Sequence, residues 1–309
     1  MDDRAAPWWA VLPPVAGAAV MATGILSVGL RLVGLDGVSL VAFGLAGALW
    51  LVLAGDFASL LLGDRRGWQA RADTPPALTA VAATTVLGVR CALFEWWPVA
   101  LTLLGIAAVA WAALLPSVLR HLGHRMPGGA FLICVATQGL ALLAGTLAPR
   151  YGRWLAWAGL VLFVLGLVLY ADALTRFDFR QVLTGAGDQW VAGGALAISA
   201  LGGVKLLASG VWTGDALRTV ALVLLGLSLL WYAVLLAGEV ARPRGGYDVR
   251  RWATVFPLGM TAVGCLSVAT AAGIGRLDPL GRLLLAIAAA AWLLTAFGLV
   301  RQASSGRPV

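Results

Sequence analysis

Ten apolar runs follow one another along the chain, separated by charged or Pro- and Gly-rich breaks. They lie at approximately 10–33, 38–62, 76–95, 97–118, 128–148, 153–174, 189–210, 215–238, 251–275 and 279–300. Each is close to the roughly 20 residues that an α-helix needs to cross a bilayer. Connections after odd-numbered runs are short, whereas those after runs 2, 4, 6 and 8 have roughly ten to fifteen residues. The pattern predicts an all-α polytopic membrane protein, a single transmembrane domain over residues 1–309 with ten helices in five hairpins.

The hairpins form an internal repeat. The odd-numbered runs begin near residues 10, 76, 128, 189 and 251, a spacing of roughly 50 to 65 residues. Self-similarity at such a spacing is typical of repeated structural units. We therefore expect the five odd helices to occupy equivalent places in the fold.

Composition supports a membrane protein. Hydrophobic residues make up 61% of the chain and charged residues only 12%, with a mean hydropathy of +0.92. A soluble domain carries about a quarter charged residues. The opening Met1-Asp2-Asp3-Arg4 lacks the basic segment of a signal peptide, and Pro13-Pro14 interrupts the run that follows, so we expect this run to be retained.

The net charge of +8 comes from 22 basic and 14 acidic residues, and the basic ones lie mostly at the ends of apolar runs. Fourteen of the 22 lie in the tails and the longer connections. The positive-inside rule then places both termini in the cytoplasm, with the protein multi-pass in the plasma (inner) membrane.

The two helices of each hairpin differ in composition. Even runs such as 2, 6 and 10 are Leu-rich and carry Trp50, Trp157 and Trp292 among aliphatic residues, so we expect them to face lipid. Odd runs collect small and weakly polar residues, namely Thr23, Gly24, Thr84, Thr85, Thr137, Gln138, Gly193, Gly194, Ser199 and Thr261. Such residues serve either close helix packing or the lining of a water-accessible path. Their recurrence in all five odd runs favours a central pore enclosed by inner odd helices.

A basic residue lies near the far end of each odd run. The five are Arg31, Arg90, Arg150, Lys205 and Arg276. Rings of basic residues are one means by which pores attract anions, so these residues are predicted to form an outer cationic mouth. The alternative is that their side chains extend to lipid headgroups.

One proline lies well inside an odd run. Pro257 removes a backbone hydrogen bond there, and the resulting bend is expected to bring Phe256 towards whatever the helix faces.

The sequence resembles a known family at these positions. Residues Arg251 to Met260, RWATVFPLGM, resemble the W-x-T/S-x-F-P pattern of the tellurite-resistance/dicarboxylate transporter (TDT) family, and Pro14 to Ser27 resemble its opening run. Residues 187–194, GDQWVAGG, also have the look of this family, which includes TehA-like proteins, malate permeases, sulfite exporters and slow anion channels. The resemblance implies a pore inside five hairpins, commonly a homo-trimer, and a phenylalanine on the ninth helix that occludes the pore. Phe256, followed by Pro257, is the matching gate residue.

The resemblance implies an anion channel or transporter for chloride, nitrate, sulfite, tellurite or a C4-dicarboxylate. Its partners are small anions and the bilayer. An alternative in the same family is a proton-coupled C4-dicarboxylate (malate) transporter, for which Asp56 and Asp172 are candidate titrating groups. A membrane-embedded enzyme is disfavoured because no run contains a His or an acidic cluster, and the three Cys lack metal-ligand spacing. We therefore expect no enzyme activity, no cofactor and no metal.

Overall fold

The computed structural model describes residues 14–212, 215–244 and 246–304, and ten long helices dominate it. They are α1 (Gly17–Leu32), α2 (Asp36–Gly63), α3 (Thr79–Leu93), α4 (Trp97–Arg120), α5 (Leu132–Tyr151), α6 (Arg153–Arg176), α7 (Val191–Ala208), α8 (Ala216–Ala241), α9 (Trp252–Ala272) and α10 (Leu277–Ser304). Short helices at Arg65–Ala72 and Gln181–Thr184 lie in the longer connections. In the described residues, α2 to α10 are long and apolar enough to cross a membrane, and α1 is a shorter apolar helix. The predicted start of the first span, residues 10–13, lies outside the described residues.

Every odd helix begins in the same way. A single 3-10 turn precedes each, at Pro14–Ala16, Pro75–Leu78, Gly128–Phe131, Asp188–Trp190 and Val249–Arg251. Such turns are common at helix starts, and two of them carry Pro where the missing N–H costs no hydrogen bond. The repeat predicted from hydropathy is therefore present in the local structure. We call the end of the bundle where the odd helices begin the amino end, and the opposite end the carboxyl end.

Burial separates the two classes of helix. Between 83% and 94% of the most apolar stretch is buried in α3, α5, α7 and α9, against 11% to 33% in the even helices. In α1, residues 20–29 are all buried. This confirms that the odd helices form the inside of the bundle and the even helices its periphery.

The inner helices form a closed ring. Each odd helix packs against the next one, and α9 packs against α1. Each even helix packs against the odd helix of its own hairpin and also against the odd helix of the following hairpin, with α10 reaching α1. The outer layer therefore fastens neighbouring hairpins together.

Glycines permit this close packing. A Cβ added at Gly24 would lie 2.8 Å from Val86 of α3, and one added at Gly259 would lie 2.8 Å from Ile25 of α1. Similar near contacts occur at Gly139 against Thr85, Gly145 against Leu206 and Gly194 against Pro257. All five contacts between inner helices thus contain a glycine at a close approach, the usual way for membrane helices to pack tightly.

Replacing such a glycine is expected to destabilise the ring. Gly259→Ala must displace the buried Ile25 and should cost about 1–3 kcal/mol, as overpacking does. In the control Gly44→Ala on α2, no described atom lies within 4 Å of the new Cβ, and helix propensity favours Ala by up to about 1 kcal/mol. Thermal unfolding in detergent should show a lower Tm for Gly259→Ala alone. Equal Tm values for the two variants would contradict ring closure through glycine.

Candidate functional site

A cavity of about 350 Å³ opens at the amino end of the bundle. Side chains from every odd helix or its preceding turn line it, including Met21, Thr79, Leu132, Val191 and Phe256. Because all five members of the ring contribute, the cavity lies on the axis of the ring. We call it the axial cavity.

Phe256 lies at the buried limit of the axial cavity. It is the fifth residue of α9 and is only 1% exposed, as is Met21, the fifth residue of α1. The fifth residues of α3, α5 and α7 are all buried alanines, at 83, 136 and 195. Two large side chains from adjacent helices therefore stand at a level where the other three helices carry only a methyl group.

Pro257 is a packing residue as well as a helix-interior proline. A Cβ on Gly194 would lie 2.8 Å from the Pro257 ring, so α7 and α9 touch at this point. The Thr261 hydroxyl donates a hydrogen bond to the Pro257 carbonyl oxygen at 2.9 Å. Both contacts hold the segment of α9 that carries Phe256.

A carboxylate lines the axial cavity. Asp188 is 7% exposed, and its Oδ2 accepts a hydrogen bond from the backbone N–H of Gly129 at 2.9 Å. A Cβ on Gly128 would come within 2.2 Å of the Asp188 carbonyl oxygen, so only glycine allows the two turns to meet there. Arg250 also lines the cavity and pairs with Asp248 at 2.7 Å.

The amino end and the carboxyl end differ in electrostatics. The first turns of α1, α3, α5, α7 and α9 surround the axial cavity, so five helix N termini converge on it. Each carries roughly half a positive charge from the helix dipole. The peptide backbone itself therefore makes this cavity favourable for an anion.

Three predicted lining hydroxyls lie at contacts between hairpins. The indole N–H of Trp292 on α10 donates to Thr23 Oγ1 at 2.9 Å, and Trp50 on α2 donates to Thr84 Oγ1 at 2.8 Å. Trp111 on α4 does the same to Thr137 at 2.8 Å. In each case an outer helix reaches the inner helix of the next hairpin. Although α2 and α10 lie at the periphery, Trp50 and Trp292 therefore point inward, where a buried threonine hydroxyl accepts each indole N–H.

The other predicted lining residues also have lateral neighbours. Gln138 Nε2 donates to the Phe163 carbonyl oxygen on α6 at 2.9 Å, and the Thr261 hydroxyl lies 3.3 Å from Ser228 on α8. Ser199 donates to Ala195 of its own helix, Gly193 faces Trp231 on α8, and Gly24, Thr85 and Gly194 lie at contacts of the inner ring. Among the described residues, the axial cavity is lined by none of the ten. That these ten residues line the path beyond the cavity stays a prediction.

The predicted cationic residues lie near the carboxyl end, in different environments. Arg31, Arg150 and Arg276 are exposed and Lys205 is half-buried. Arg31 pairs with Asp36. Arg31, Arg150 and Lys205 lie in the last turns of their helices, where a cation offsets the negative end of the helix dipole.

Arg90 departs from the predicted mouth. It is 1% exposed, and it donates from Nε to Ser27 and from Nη2 to Ser39, both at 2.9 Å. Its guanidinium carbon lies 3.8 Å from the centre of the Phe94 ring. Since Ser27 is on α1 and Ser39 on α2, this cation lies between the first hairpin and α3. It is not part of an open ring at the bundle surface.

The carboxylates singled out in the sequence do not line the axial cavity in the described residues. Asp56 pairs with Arg71 at 3.3 Å and Asp172 with Arg176 at 2.9 Å, both on the outer layer. Sequence reasoning missed Asp188. The available signal was its place in the turn before an odd helix, equivalent to the other turns that surround the cavity.

Ten helices in five hairpins, closed as a ring around an axial cavity, define a polytopic membrane protein of the channel or transporter class. A family model described as voltage-dependent anion channel (SLAC1) matches residues 12–300. The chain therefore belongs to this family, as the sequence resemblance indicated, and has the general activity of an anion channel or transporter. A search of curated proteins found no match.

The buried environment of Arg90 predicts how substitutions at this position change the stability of the protein. Lysine keeps the buried charge but cannot form two directed hydrogen bonds while stacking on Phe94. Methionine removes the charge and its desolvation cost. We expect Arg90→Lys to be less stable than both wild type and Arg90→Met, with a loss of about 1–3 kcal/mol relative to wild type. Thermal unfolding of the three proteins in detergent measures the difference. A Lys variant as stable as wild type would contradict the proposed role of the two serines and the ring.

Proposed function

We propose that the protein is an anion channel whose path runs along the axis of the inner ring and is closed at Phe256. The observation that carries this proposal is the position of Phe256. It is a buried ring at the limit of a cavity that all five inner helices line. A hydrophobic constriction of this kind can close a pore by excluding water.

The steps of permeation follow from the environment of the cavity. An anion enters at the amino end, where five helix N termini lower its energy. It then meets Phe256 and Met21, which offer no hydrogen-bond donors. Passage requires these side chains to move aside. Because Pro257 packs against Gly194, we expect a relative movement of α9 and α7 to open the path.

The finer features of the proposal rest on the family resemblance and the charge pattern. The permeant ion is chloride, nitrate, sulfite, tellurite or a C4-dicarboxylate. The assembly is a homo-trimer, and the protein is not an enzyme. The distribution of basic residues supports a plasma-membrane protein with both termini in the cytoplasm, so that the axial cavity opens to the cytoplasm.

Removing the ring of Phe256 should open the path. In planar bilayers with anion substitution, Phe256→Ala is expected to raise conductance at least about tenfold, equivalent to lowering the barrier by about 1.4 kcal/mol. Phe163→Ala is the matched control, because Phe163 is also buried but lies on α6 and contacts α7. Unchanged or lost flux in a well-folded Phe256→Ala protein would refute the gate.

One observation favours a second candidate function. A proton-coupled dicarboxylate transporter needs a titrating group in its path, and Asp188 is a carboxylate that lines the axial cavity. In a simple channel, Asp188 only repels anions at the entrance. The two functions therefore predict different consequences of neutralising it.

Asp188→Asn separates these functions in liposomes that report anion uptake with and without a pH gradient. If the protein is a channel, the wild type takes up anions without a pH gradient, and Asp188→Asn takes them up equally fast or faster under the same conditions. Asp178→Asn serves as control, since Asp178 is only partly buried and its carboxylate accepts a hydrogen bond from the backbone N–H of Arg180 in the same loop. Wild-type uptake that depends on a pH gradient, and loses that dependence in Asp188→Asn, would instead establish proton coupling.

A further inference from the structure

A second, larger cavity opens on the side of the bundle, away from the ring axis. It has a volume of about 1210 Å³ and lies between α8 and α10, over the outer face of α9, in the half nearest the amino end. We call it the lateral groove. In a membrane, a groove between two peripheral helices faces the lipid rather than an aqueous path.

The lining of the lateral groove changes with depth. Leu258, Ile287 and Leu294 form walls towards the middle of the bundle. Arg251 immediately precedes α9 and Arg301 lies near the end of α10, so both stand at the amino end. The groove is therefore apolar where the hydrocarbon of a bilayer lies and cationic where its headgroups lie.

The cationic end of the groove carries an excess of positive charge. Arg244, Arg251 and Arg301 line it together with a single carboxylate, Glu239. Arg251 Nη1 lies 2.8 Å from Glu239 Oε1, and Arg244 pairs with the same side chain. Burial lowers the pKa of Arg244 to about 10, which leaves it charged at neutral pH. The charged side chains that line the groove are therefore three cations and one anion, a net +2.

Two buried polar atoms lack partners in the described part of the chain. Trp190 Nε1 and Tyr232 OH both belong to side chains that line the groove, which are 3% and 6% exposed. Their rings pack edge to face, with centres 5.4 Å apart. An unmade hydrogen bond at a buried donor costs about 1–3 kcal/mol. Two such donors beside one groove indicate an occupant that brings acceptor oxygens.

We propose that the lateral groove binds one anionic phospholipid from the bilayer. Its phosphate lies at the arginine-rich end, near Arg251 and Arg301. Its ester oxygens accept hydrogen bonds from Tyr232 and Trp190, and an acyl chain lies against the apolar walls. The charge, the two unpartnered donors and the depth profile of the groove match these three parts of one lipid molecule.

Retained lipid can be measured by native mass spectrometry on the full-length protein purified in mild detergent. The protein is incubated with equal amounts of phosphatidylglycerol and phosphatidylcholine. Wild type should hold one phosphatidylglycerol per protomer with about fivefold or greater preference over phosphatidylcholine. This readout does not depend on transport, so it can fail or succeed independently of the proposed channel.

Two variants with matched controls test the two ends of the groove. Ala291→Phe fills the apolar part, and its control Ala290→Phe places the same ring on the exposed face of α10. Arg301→Gln removes an exposed rim charge, and Arg66→Gln removes an exposed charge elsewhere at the amino end. Each groove variant should lose phosphatidylglycerol by about fivefold or more, while both controls retain it.

Three outcomes would overturn the proposal. The first is equal retention of the two phospholipids by wild type, and the second is wild-type retention by either groove variant. The third is a change in oligomeric mass for Ala291→Phe without loss of lipid, which would make the groove an interface between copies. Should Ala291→Phe fail to fold, Arg301→Gln decides the question, because Arg301 is exposed and its replacement leaves the packing of the helices unchanged.

Discussion

Close packing of five inner helices at glycine residues is the constraint on which the fold depends. At the contacts between Gly24 and Val86 and between Gly259 and Ile25, a single added carbon would meet a buried side chain. Lipid chains are as apolar as leucine, so membrane helices associate through tight packing and hydrogen bonds rather than through exclusion of water. Glycine supplies the tight packing here. The axial cavity lies where the five helices of this ring begin.

Hydrogen bonds between hairpins supply the second part of the association. The Trp292–Thr23, Trp50–Thr84 and Trp111–Thr137 pairs each connect an outer helix to the next inner helix. In hydrocarbon these groups have no water to bond with, so a partner of matching geometry fixes the lateral position of the helix. The weakly polar residues of the odd helices thus have a structural use, whether or not some of them also contact a permeating ion.

The sequence predicted the large features because they depend on composition along each helix. The hairpin pattern, the number of helices and the assignment of odd helices to the interior all follow from runs of leucine in one class and of small residues in the other. The sequence did not predict lateral partners. Trp292 and Thr23 are 269 positions apart, and hydropathy carries no information on which way an indole N–H points. The burial of Arg90, which the sequence placed at the outer mouth, was not predicted for the same reason, since it depends on Ser27, Ser39 and Phe94 meeting at one point.

On the proposed path, anions pass along the ring axis through the axial cavity and past Phe256. The most direct test is Ala253→Cys, which places a thiol on the cavity wall one turn before Phe256, in a chain whose native cysteines are all buried. A charged, membrane-impermeant thiol reagent should modify this cysteine from one side of the membrane only and block anion flux. Modification that leaves flux unchanged, or equal reactivity from both sides, would contradict the account.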